Sequence, residues 1–153
     1  MTLDDYFAIG IPQDLGSHVF TADEIVAFAR KYDPQPFHLS EEGAKGTVFG
    51  ALCASGWHTT SMWMRHNLLQ IEPVQWTGEG PKPEFGPSPG FQNLRWLKPA
   101  YAGDTIRFSR TTTGHRALAS RPGWRLLSGQ GEAFNGTGET IMSMDTAVLV
   151  KVA

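Results

Sequence analysis

The chain has 153 residues, 41% of them hydrophobic and 18% charged, which suits one domain over residues 1–153 with a full core and excludes a disordered chain. Its formal net charge is -2 and it has no Lys/Arg run, so neither nucleic acid nor an anionic membrane is an expected partner. One cysteine, Cys53, excludes an intramolecular disulfide and Cys-rich zinc sites, and suits a reducing cytoplasm.

The N-terminal MTLDDYFAIG is acidic and lacks the basic and long apolar regions of a secretory signal. No stretch approaches the roughly 20 apolar residues of a membrane span. The first fully punctuated element is FTADEIVAFARKYDP. Thr21 is placed as N-cap, Glu24 as its reciprocal partner in a capping box, and Phe20 with Ile25 as a hydrophobic staple. Ile25, Phe28, Ala29 and Tyr32 recur on one face, and Pro34 disfavours helical geometry at Asp33, so a helix is predicted over 21–32.

ALCASGWHTTSMWMRHNLLQ predicts a second helix over 51–70, apolar or small nearly all round and therefore buried in the middle of the fold. Residues 72–90, dense in Pro and Gly, read as a long excursion, with Trp76 its best lid residue. From residue 90 the pattern alternates: FQNLRWLKP, DTIRFSRTTT, WRLLSGQGEAFN and ETIMSMDTAVLVKV are predicted strands. The short turns YAGD, RPG and NGTGE between them imply antiparallel pairing. Helices first and strands after give an α+β class, a sheet wrapped around the apolar helix.

KYDPQPFHLS carries the first chemical candidates. Asp33 falls at a helix C-terminus, where the macrodipole favours the protonated carboxyl, a useful bias for a general base. Pro34 and Pro36 stiffen the link to His38, a side chain readily poised near neutral pH. A helix exit followed by a packed histidine has the same spacing, so both readings stand at this point. The second candidate is Gly56, whose N–H at a helix start can face a developing oxyanion; close packing through a small residue is its alternative. His58 reads as a core residue, Ser55 is no nucleophile elbow, and His18, His66 and His115 show no metal-ligand spacing. No metal is expected.

Asp33-Pro34-Gln35-Pro36-Phe37-His38, followed by Ala44 to Gly50, Ser55-Gly56, LRWLKPAYAGD and NGTGE, resembles the MaoC-like hydratase/dehydratase family of the (R)-specific enoyl-CoA hydratase type. The resemblance spans about Phe7 to Val150. It departs from the family pattern at Tyr32, at Gln35, which stands where the motif has Asn, and at Ser55, which stands where histidine is common. It implies a hotdog fold and pairing into at least a homodimer. It also implies reversible addition of water across the 2,3-double bond of an enoyl-CoA, giving a (3R)-hydroxyacyl-CoA. Asp33 is then the base, His38 its partner acid and orienter, and the Gly56 N–H the enolate donor, with Ser55 and Gln35 as further substrate-site residues. No cofactor is implied, coenzyme A being part of the substrate. Two other readings stay open: thioester hydrolysis on the same fold, and a non-catalytic acyl- or CoA-binding subunit.

Overall fold

The computed structural model describes residues 1–69 and 73–153. A short helix α1 (Leu3–Tyr6) leads into β1 (Gln13–Val19), then α2 (Ala22–Tyr32), α3 (Pro36–Leu39), α4 (Glu41–Ala44) and the long α5 (Gly56–Leu69). The strands β2 (Glu84–Phe85), β3 (Gly90–Trp96), β4 (Thr105–Ala117), β5 (Trp124–Phe134) and β6 (Thr140–Lys151) follow. All pairings are antiparallel, in the order β1-β4-β5-β6, with β2 and β3 both on the free edge of β6. This is the expected α+β hotdog arrangement, a curled sheet around a central helix. Among the described residues no helix is long and apolar enough to cross a membrane.

The helix at 21–32 forms as its punctuation requires. Thr21 Oγ1 accepts from the Glu24 amide at 3.3 Å, and Phe20 and Ile25 are fully buried in one cluster. Two details differ. The Glu24 carboxylate does not return to the cap, because His18 Nε2 holds it at 2.5 Å. Tyr32 leaves the apolar face and is 69% exposed.

The second helix begins at Gly56, five residues later than predicted. Residues 52–54 are extended instead and pair with 100–102: Ala54 N–H donates to Ala100 O, Ala102 N–H donates to Leu52 O, and Cys53 bridges to Tyr101. The predicted last residue, Gln70, lies outside the described residues. Burial is also one-sided. His58, Thr59, Trp63 and His66 are buried, whereas Trp57, Met64, Leu68 and Leu69 are exposed, because a single sheet layer covers one side of a helix. Trp63 anchors α5, donating from Nε1 to Ser109 O at 2.9 Å, and a Cβ on Gly131 would lie only 2.7 Å from its ring. Glycine is what lets the sheet approach.

No strand is predicted before residue 90, yet β1 pairs with β4 and its Leu15 is fully buried. Gly16, at φ 87°, bulges that strand between Asp14 and Ser17 and disrupts the alternation that would announce it. The Pro/Gly excursion carries the short β2 and rests on the N-terminal arm: Tyr6 meets Trp76 edge-on at 5.4 Å, and Phe7 meets Phe85 at 6.1 Å. Trp76 also donates to Gly80 O at 3.1 Å.

Candidate active site

Asp33 is the C-cap of α2, and Pro36 opens α3 one residue after Gln35. The stiff link therefore turns straight into a helical turn that carries His38 back toward the cap. Asp33 Oδ2 and His38 Nε2 lie 3.5 Å apart, with both side chains largely buried. Gln35 Nε2 donates to Asp33 Oδ1 at 2.7 Å, which occupies that oxygen and leaves Oδ2 to face the imidazole.

The other ring nitrogen is fixed from behind. His38 Nδ1 lies 2.6 Å from the carbonyl oxygen of Cys53. A carbonyl only accepts, so Nδ1 carries hydrogen and Nε2 is the nitrogen available for proton transfer. Cys53 is itself tied to the dyad's backbone, its N–H donating to Phe37 O at 3.2 Å. Burial, with Glu41 nearby, pushes the Cys53 thiol up to about 11, so it stays protonated and unreactive. The sequence reading of Cys53 as a lone thiol missed its role as the brace of His38. The brace is a backbone carbonyl, which no side-chain identity announces. Tyr101, whose hydroxyl donates to Phe49 O at 2.8 Å, completes the frame, and LRWLKPAYAGD was its signal in the sequence.

Gly56 stands three residues beyond Cys53 and opens α5. Among the described residues its N–H takes no hydrogen-bond partner. A Cβ there would lie 2.2 Å from the Trp96 ring, so close approach also requires glycine at this position. Ser55 is fully buried and caps the helix: its Oγ accepts from Trp57 N–H, and its carbonyl accepts from His58 and Thr59.

The remaining histidines lie apart from the dyad. His58 stacks on Phe28 at 4.6 Å and its Nε2 lies 3.6 Å from Glu24 Oε1. Desolvation holds its pKa below the ordinary value. His66 bonds Leu15 O through Nδ1, and His115 lies between Asp4 and Arg125. Among the described residues no group of three or more His, Cys, Asp or Glu is arranged to hold a metal ion.

Known proteins match this chain over nearly its whole length. Residues 8–122 match the MaoC like domain. The chain belongs to the MaoC-like domain family. The MaoC-like dehydratase from Rhodospirillum rubrum is 33% identical, with a TM-score of 0.79 over 100% of this chain and 98% of that one. An (R)-hydratase from A. caviae involved in PHA biosynthesis shares the fold at 21% identity, with a TM-score of 0.66 over 95% and 96%. So does a C-terminally truncated HadBC (3R-hydroxyacyl-ACP dehydratase) complex from Mycobacterium tuberculosis, at 19% identity and a TM-score of 0.68 over 92% and 96%. No curated protein matches the MaoC-like chain in sequence.

Proposed function

We propose that the protein is a hydratase/dehydratase that adds water reversibly across the 2,3-double bond of an enoyl-CoA thioester, giving a (3R)-hydroxyacyl-CoA. The observation that carries this reading is the 3.5 Å approach of Asp33 Oδ2 to His38 Nε2. One water oxygen can sit within about 2.8 Å of both atoms. Asp33 takes a proton from that water as its oxygen bonds to C3. The electron pair of the double bond moves into the thioester as an enolate. His38, protonated at both nitrogens, gives the Nε2 proton to C2. The proton on Asp33 then passes to His38, which restores the pair. Because the two groups exchange one proton, the division between acid and base belongs to the pair.

The Gly56 N–H, at the positive end of α5, is the proposed donor to the enolate oxygen; one such donor contributes about 3 kcal/mol elsewhere. Gln35 acts through Asp33, and Ser55 acts by fixing the helix start. No metal or redox group enters the scheme, coenzyme A being part of the substrate. Pairing into a homodimer is supported by β3, an edge strand whose Phe91 and Trp96, with the adjoining Leu97, are about half exposed. The buried free thiol of Cys53 fits a reducing cytoplasm.

Incubation of the protein with trans-2-enoyl-CoA tests the reading. The expected product is a 3-hydroxyacyl-CoA of R configuration with the thioester intact. Release of free coenzyme A without hydration would assign the site to hydrolysis instead.

A further inference from the structure

Alongside α5 lies a cavity of about 1070 Å³ that does not include Asp33, His38 or Gly56. Its walls are mainly apolar, among them Phe7, Trp63, Met64, Leu127, Met144 and Val148. One wall residue is out of character. Arg110, from the middle of β4, makes a single side-chain hydrogen bond among the described residues, Nη1 to Asn67 Oδ1 at 2.9 Å. Its Nε is sealed from solvent with no partner, and among the described residues no carboxylate pairs with it. Burial holds its pKa below the ordinary value. A guanidinium cannot shed its proton, so an unneutralised one in an apolar wall is costly unless an anion joins it.

The helix that forms one wall of the cavity begins at Gly56. Gly56, Thr60, Trp63 and Asn67 follow one another at i, i+4, i+7 and i+11 on α5, within about 60° of one stripe. Three of these four line the cavity, and the fourth is the proposed enolate donor. From Gly56 to Asn67 the helix rises about 16 Å. The start of the stripe is covered by Trp96, which packs on Gly56 and donates from Nε1 to Thr60 Oγ1 at 3.1 Å. A chain entering along this stripe would have to displace that partly exposed indole.

Resting on the enoyl-thioester reading above, we propose that the substrate's acyl chain runs along this stripe into the cavity and ends in a carboxylate that pairs with Arg110. The substrate class is then a monothioester of a medium-chain dicarboxylic acid. Asn67 positions the guanidinium, and the apolar walls take the methylenes between. Charge complementarity decides the occupant: among the described residues no carboxylate meets Arg110, and a methyl-ended chain would bring it none while adding an apolar group beside it.

The test compares trans-2-dodecenoyl-CoA with its ω-carboxy counterpart as substrates of the wild type, Arg110→Gln and Asn67→Ala. Thermal stabilisation by the saturated ω-carboxyacyl-CoA is measured alongside. The wild type is expected to prefer the carboxylated chain by about tenfold or more in kcat/KM, chiefly through KM. In Arg110→Gln the ratio should approach one and the thermal stabilisation should vanish; Asn67→Ala should lower both. No preference in the wild type, or a preference that survives Arg110→Gln, overturns the proposal. So does stabilisation by free decanoate that depends on Arg110 when the thioester gives none, since the cavity would then hold a free fatty acid. Stabilisation by the ω-carboxyacyl-CoA that needs Arg110, with neither enoyl-CoA turned over, upholds the carboxylate site while the hydratase reading fails. If Arg110→Gln does not fold, the wild-type preference and Asn67→Ala still decide.

Discussion

His38 Nδ1 lies 2.6 Å from the carbonyl oxygen of Cys53, and this contact settles which edge of the imidazole meets Asp33. Because the acceptor is backbone, it survives changes of the Cys53 side chain. Cys53→Ala is therefore expected to keep kcat within a few fold of wild type, at a stability cost of about 1 kcal/mol from the small void left in the core. A kinetic assay beside a thermal melt checks this; loss of turnover in a well-folded variant would move the thiol into the chemistry.

Gln35 is exposed, so truncating it leaves the core untouched, yet it occupies Asp33 Oδ1. Gln35→Ala should lower kcat by roughly tenfold, about 1.4 kcal/mol of lost positioning, with little change in Tm. An unaltered kcat would show that the carboxylate is held in place without the amide.

Gly56→Ala drives a Cβ into the Trp96 ring. Its expected cost is about 1–3 kcal/mol from overpacking. In a Trp96→Ala background the same substitution should cost close to nothing. Denaturation of the four members of this cycle measures the coupling. Equal costs in both backgrounds would show that the conflict lies elsewhere.

His58 is held below its ordinary pKa in the folded chain, first by desolvation, against the opposing pull of Glu24 and with a smaller push from His18. The unfolded chain therefore binds more protons, and stability rises with pH. This contribution is complete above about pH 6.5 and is lost as pH falls through the lowered folded value. Tm followed from pH 7.5 down to 5 should decline in the wild type and decline less steeply in His58→Phe. Parallel curves would remove His58 as the cause.

Much of this was legible in the residues. Thr21, the Phe20/Ile25 staple and Pro34 fix both ends of α2 through local rules, and local rules need no tertiary knowledge. Strands β4 and β5 alternate over much of their length because one face meets α5, whereas β3 is exposed at nearly every residue. The start of α5 was not legible, because ALCAS has good helical propensity and only its pairing with residues 100–102 pulls it into extended form. Strand β1 was hidden by the Gly16 bulge. At the site, Asp33 and His38 were found from the stiff spacing and the family resemblance. The Cys53 carbonyl was not, since it is backbone, and neither was the half-buried Arg110 of the neighbouring cavity, which looks like any charge on an alternating strand.

The most direct measurement is enoyl-CoA hydration by wild type, Asp33→Asn, His38→Ala and the double variant, each confirmed folded by circular dichroism. Groups that share one water and one proton act as a unit, so each single change should cost roughly a thousandfold or more in kcat, and the double variant little beyond either. Full turnover in Asp33→Asn or His38→Ala, or losses that simply multiply in the double variant, would contradict a shared site.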